Sequence, residues 1–136
     1  LEEMLRTEGT VKALFRLARR RVTIGGVEIA AGTHVMLVPA AANRDARRFE
    51  RPHEFIPDRA NARENLSFGR GIHACIGSPL ARAEAKAALE RLLARIGEFR
   101  MNEDRHGPPG ARRHQFAPSY MFRVRHDLHL EFDPVR

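Results

Sequence analysis

The chain has 136 residues, with 24 Lys plus Arg against 17 Asp plus Glu, one Cys and no Trp, a length that fits one small domain. With 43% hydrophobic and 30% charged residues it is neither a disordered tail nor a membrane protein, since no window approaches the roughly 18 consecutive apolar residues of a spanning helix. The single Cys excludes an internal disulfide and any zinc site built from Cys alone, and the net charge of +7 is dispersed, so a solvated basic face is preferred to a nucleic-acid partner.

The elements follow in chain order. Residues 1–8 are helix formers broken by Gly9-Thr10, and the chain reads as beginning inside a helix with no targeting pattern, which makes its length that of a piece. Residues 11–18 are apolar and extended. Arg19-Arg20-Arg21 is the one tight basic run, and it lacks the interleaved aromatics of a single-strand nucleic-acid site. Arg21 to Ile29 reads as a hairpin, because Gly25-Gly26 allows the positive φ angles of a primed turn. His34–Val38 is a short strand stopped by Pro39, and residues 39–43 form one helical turn. Residues 44–67 show no period, yet Phe49, Phe55 and Ile56 predict an ordered wrap instead of a linker.

Ser78-Pro79 starts a helix over 79–96, with an N-cap hydroxyl and Pro in the first turn. Ala85, Leu89, Leu92, Leu93 and Ile96 form its apolar stripe, and Gly97 is the expected C-cap. Residues 102–114 read as polar loop, and 121–125 and 128–132 as two strands around Asp127. His126 and His129 would face opposite sides of such a strand, and His106 and His114 fall in the loop, so no zinc site is expected from them. The class is α+β.

Chemistry concentrates in Phe68-Gly69-Arg70-Gly71-Ile72-His73-Ala74-Cys75-Ile76-Gly77. Three glycines in nine residues precede a strong helix, and the only Cys lies among them. Glycine permits close backbone approach to a ligand, and a helix N-terminus favours a thiolate. Two readings follow from these residues: a thiolate that is reactive or ligates a metal, or a buried, inert Cys in a glycine turn.

The pattern Phe-Gly-x-Gly-x-His-x-Cys-x-Gly resembles the haem-binding loop of the cytochromes P450. Glu3-Met4-Leu5-Arg6 is similar to that family's Glu-x-x-Arg. The stretch from Ile24 to Pro39 with Asn43-Arg44-Asp45 is similar to the hairpin and turn of bacterial members. Phe55-Ile56-Pro57-Asp58-Arg59 is similar to the Pro-Glu-Arg-Phe region, with Asp58 in place of Glu. The irregular middle then corresponds to the family's meander, and the whole chain to the C-terminal third of a mainly helical fold.

The resemblance implies haem b as cofactor, with Cys75 as the thiolate ligand of the iron and the catalytic residue. Gly69, Gly71 and Gly77 would shape the loop, Gly77 and the amides after Cys75 would donate to the sulfur, and Phe68 would pack against the haem. His73 and Arg16 would bind the propionates; His73 is wrongly placed for the opposite haem face. Glu3, Arg6 and Arg59 would form a buried charged triad of structural role. Lys12, Ala13, Leu14, Met121 and Phe122 would line the substrate pocket, Lys12 preferably turned to solvent. Arg123-Val124 stands where the family often has Arg-Gly. The family's oxygen-activating helix has no counterpart in the sequence.

By the same resemblance, the parent would be a cytoplasmic monooxygenase acting on a small organic substrate. Its electrons would come from NAD(P)H through an acidic ferredoxin or flavodoxin, docking on a face that holds Arg70, Arg82 and Lys86. The competing reading is a stand-alone haem-binding or interaction module without oxygenase activity, and the competing reading of the basic face is local pairing.

Overall fold

The computed structural model describes residues 1–135. It runs α1 (Glu2–Glu8), β1 (Leu14–Leu17), β2 (Val22–Ile24), β3 (Val27–Ile29), β4 (His34–Leu37) and α2 (Pro39–Ala42). After an irregular stretch broken by 3₁₀ turns at Ala62–Glu64 and Gly71–His73 come α3 (Ser78–Leu93), β5 (Ile96–Met101), α4 (Glu103–His106) and β6 (Leu130–Pro134). The strands form three antiparallel pairs, β1 with β4, β2 with β3 and β5 with β6. No helix among the described residues is long and apolar enough to cross a membrane.

The first half follows the sequence pattern closely. The β2–β3 hairpin turns at Gly25 and Gly26, whose φ angles of 57° and 81° are those of a primed turn. It projects from between β1 and β4, which pair Leu14 with Leu37 and Leu17 with His34. Pro39 opens α2, where its missing N–H costs no intrahelical bond.

The irregular stretch is ordered by polar contacts. Phe49 is buried as expected, but Phe55 is exposed. The anchor is Arg6, which donates to the carbonyls of Asn43 and Pro52, both at 2.8 Å, and Glu54 at 3.0 Å. The buried apolar set is small: Ala13, Phe49 and Ala62. Glu3, Arg6, Thr7, Asn43, Asn65 and His106 are buried as well, so the interior around α1 is largely a polar knot.

The second half corrects the sequence reading in three places. The helix ends at Leu93, capped at Ala94, and neither Ile96 nor Gly97 belongs to it. Ile96 opens β5 opposite Pro134, so its β-branched side chain serves a strand pairing that helical periodicity cannot distinguish from the last turn. The covered side of α3 is the half-buried Ala81, Arg82, Ala85 and Leu89, while Leu92 and Leu93 are exposed.

The expected hairpin around Asp127 is absent. Residues 116–125 make only single bridges, Val11 with Phe122 and Phe116 with Arg125, and β6 pairs with β5 instead. Residues 102–114 are not wholly loop either: Asn102 caps α4 by accepting the Arg105 N–H at 2.9 Å. His106 is buried there, and its Nε2 accepts the His129 N–H at 2.8 Å.

Candidate functional site

Gly69 and Gly71 have φ angles of 70° and 72°, a conformation that side-chain-bearing residues rarely adopt. They turn the chain so that the Cys75 N–H reaches the Phe68 carbonyl at 2.8 Å, which closes the loop upon itself. Cys75 is exposed and not buried, against one of the two readings of this residue. Two residues on, Gly77 is the N-cap of the 16-residue α3, and Ser78, expected at the cap, lies inside the helix. The Ser78 N–H donates to the Cys75 carbonyl at 3.2 Å, which ties the Cys residue to the start of α3. A Cβ on Gly77 would lie 3.8 Å from the Cys75 sulfur, in contact with it.

The loop separates two cavities. One, of about 310 Å³, is lined by Leu5, Val11, Leu14, Phe68, His73 and Cys75, among others. It continues, through the shared Leu14, Gly69 and His73, into a hollow of about 360 Å³ that adds Arg16, Leu37 and Val38. The other cavity, also about 310 Å³, is polar and carries Arg48, Arg63, Arg70 and Arg82 beside Phe68 and Cys75. Arg16 and His73 thus meet at one apolar hollow. Arg16 Nη1 bonds the neighbouring Phe15 carbonyl at 2.8 Å.

Behind the loop stands the ionic knot. Arg6 grips Glu3 with two bonds of 2.7 Å. Arg59 Nε donates to both Glu3 oxygens at 3.0 and 3.1 Å, and the Ile56 N–H adds a third donor at 3.0 Å. These donors, Arg6 foremost, hold the Glu3 carboxyl down at about 2 despite burial. The Arg6 guanidinium lies 5.1 Å from the centre of the Phe49 ring.

The two stretches expected to line a substrate pocket do meet. The Met121 carbonyl accepts from Lys12 at 2.7 Å and Ala13 at 3.3 Å. Their side chains divide, however. Ala13 is buried in the core, and Leu14 alone of the three borders the cavities beside the thiol. Lys12 is not turned to solvent, because its Nζ donates to the Ser119 carbonyl at 2.9 Å.

Local pairing accounts for part of the basic face. Arg82 is tied to Glu2, with 2.7 Å between Nε and Oε1, and Lys86 sits 3.7 Å from Glu90.

Sequence reasoning passed over Asn43 as a positioning residue. It is buried; its Oδ1 accepts the Leu66 N–H at 2.7 Å and its Nδ2 donates to Ser67 Oγ at 3.0 Å. Ser67 Oγ in turn donates to the Leu5 carbonyl at 2.6 Å. The available signal was an Asn directly after a Pro-started helical turn, a place where a side-chain amide meets free backbone groups.

An accessible thiol on a glycine-turned loop at a helix N-terminus, facing an apolar hollow and backed by a buried Glu–Arg–Arg knot, is the arrangement expected of a cytochrome P450 portion. The family comparison agrees: the Cytochrome P450 family model matches residues 1–117, and the chain belongs to that family. It is 44% identical over 95 residues to cytochrome P450 144 of Mycobacterium tuberculosis, covering 70% of this chain and 22% of that protein. It is 45% identical over 103 residues to the cytochrome P450 monooxygenase PikC of Streptomyces venezuelae, covering 75% of this chain and 24% of PikC. The substrate-free structure of Mycobacterium marinum cytochrome P450 CYP150A6 superposes with a TM-score of 0.96 at 53% identity, over 99% of this chain and 33% of that one. The chain therefore spans about a quarter of those curated relatives and a third of that solved one, and its mixed helix and hairpin architecture is that of a P450 portion.

Proposed function

We propose that this chain supplies the Cys-ligand half of the haem site of a cytochrome P450 monooxygenase, corresponding to the C-terminal third of that fold. The observation that carries the reading is the exposed Cys75 thiol at the N-terminus of α3, facing an apolar hollow. The residues present fit haem b: a free sulfur donor, an apolar wall of Leu5, Val11 and Leu14, and two nitrogen-bearing side chains, His73 and Arg16, at its edge for carboxylate groups. When bound to a thiolate, a haem iron activates dioxygen, so that one oxygen atom enters an organic substrate and the other leaves as water, with two electrons and two protons consumed.

Each residue then has a task. Cys75 would hold the iron as thiolate, at the positive end of α3. Gly69, Gly71 and Gly77 would let the backbone approach the haem without side chains in the way, and Phe68 would pack against it. His73 and Arg16 would pair with the propionates. Leu14, with Met121 and Phe122, would border a small organic substrate. Electrons from NAD(P)H would arrive through an acidic ferredoxin or flavodoxin, attracted to Arg70 and its basic neighbours. A cytoplasmic site of action goes with this reading.

Haem reconstitution, reduction and carbon monoxide test the assignment. The red-shifted Soret band of thiolate-ligated haem is expected, and Cys75→Ser should abolish it. A histidine-type spectrum in the wild type overturns the assignment. In the same holoprotein, a partner-driven reduction rate that ignores ionic strength overturns the docking face.

A further inference from the structure

Arg82 enters the site by an unexpected route. Its guanidinium lies 4.6 Å from the centre of the Phe68 ring. The same group pairs side-on with Glu2, Nε to Oε1 at 2.7 Å and Nη2 to Oε2 at 3.2 Å, while Nη1 also contacts Ser78 Oγ. Glu2 reaches the other end of the loop as well, since Oε2 accepts from Asn65 Nδ2 at 3.2 Å. Asn65 is buried, and its Oδ1 receives the Ser67 N–H at 3.1 Å. One carboxylate on α1 thus holds both the approach to the Cys loop, through Asn65, and its departure into α3, through Arg82. Phe68 lies between these two ties and accepts the Cys75 N–H.

We propose that Glu2 and Arg82 act as a positioning clamp that sets the Phe68 ring and the Cys75 loop beneath the haem, and that Arg82 is not a docking charge for a redox partner. The proposal rests on the haem-thiolate reading above. Three features favour a clamp over a surface charge. The fork of Arg82 is spent on Glu2 and Ser78. Its guanidinium carbon sits over the Phe68 ring, as a cation–π contact requires. The Glu2 carboxyl is held below its ordinary range, with the Arg82 hydrogen bond as the chief cause, so the pair stays ionised.

Charge makes the test sharp. Arg82→Met removes a positive charge near the thiol, and Glu2→Gln removes a negative one. A purely Coulombic influence must move the haem reduction potential in opposite directions. A positioning clamp moves it in the same direction in both, because each releases Phe68, and the double variant moves it no further than the larger single. Arg82→Lys keeps the charge but not the fork that holds Glu2 and Ser78, so it should resemble Arg82→Met.

The measurement is the midpoint potential of the haem-loaded monooxygenase, together with the split between thiolate-type and thiol-type carbon-monoxide bands after mild heating. Opposite shifts, additive shifts, no shift, or a wild-type potential in Arg82→Lys each overturn the clamp. A wild type lacking the thiolate-type band overturns the haem-thiolate reading instead. The clamp is then read in the haem-free protein by Cys75 alkylation: faster in both single variants supports it, and unchanged or opposite rates overturn it.

Discussion

Arg6 keeps 1% of its surface accessible, less than any apolar residue of the core, and it is an ion. Burying it is tolerable because each face of the guanidinium finds a partner: Glu3, three main-chain carbonyls and the Phe49 ring. Such a knot organises the chain more than it stabilises it, since an ion pair gains little over a well-packed apolar group, whereas a broken one leaves a naked charge. Glu3→Gln, which takes the counter-ion from both Arg6 and Arg59, is therefore expected to cost about 3–5 kcal/mol in urea unfolding. The pH dependence has a definite sign. The Glu3 carboxyl titrates at about 2 in the folded chain against 4.5 ordinarily, so it binds its proton more readily when unfolded. Its contribution is complete above pH 4.5 and drains away as the pH falls towards 2, and acid titration of the unfolding midpoint should lose this component in Glu3→Gln.

Between elements, a tight fit lies at Gly9, where α1 ends against the start of the Cys loop. Its φ of −54° is ordinary, so the reason for glycine there is space, not strain. A Cβ would come within 2.8 Å of both the Leu5 carbonyl and Ser67 Oγ, the two groups whose hydrogen bond joins α1 to the loop. Gly9→Ala should push Ser67 away and leave the Leu5 carbonyl without this donor. We expect a loss of about 1–3 kcal/mol in chemical denaturation, with hydrogen exchange accelerated first at Leu66 and Ser67. Nothing in the local sequence announces this contact, because Gly9 reads there as a helix terminator and its neighbour lies 58 positions away. The same kind of distance hid β6, whose partner is β5 and not the adjacent segment.

Over the whole molecule, the accessible surface is 10768 Å². A compact monomer of this mass exposes about 7,200 Å². The excess includes Ile72 and Ile76 at 97% and 99% exposure beside the thiol, together with Leu80, Leu92 and Leu93 along α3. Such surface exceeds what single scattered apolar residues explain and marks a face fit for burial against a partner surface. Expressed by itself, the chain should bind a hydrophobic dye such as ANS and self-associate in sedimentation at micromolar concentration. Clean monomeric behaviour without dye binding would show that another packing covers these faces.

The sequence alone determined whatever depends on neighbours in the chain. The Gly25-Gly26 turn, Pro79 in the first turn of α3 and the order of glycines around Cys75 are local, since φ preferences act over a few residues, whereas the cap expected at Ser78 falls on Gly77. The motif Phe68 to Gly77, with Glu3 and Arg6, was enough to indicate the family. Tertiary structure alone decided where α3 stops, that Ala13 and Lys12 turn away from the thiol, that His106 is buried, and that Arg82 closes on Glu2 80 positions away. These outcomes depend on pairings between distant segments. A side chain's capacity to form a bond is written in its type, but its partner is chosen only when the chain has folded around it.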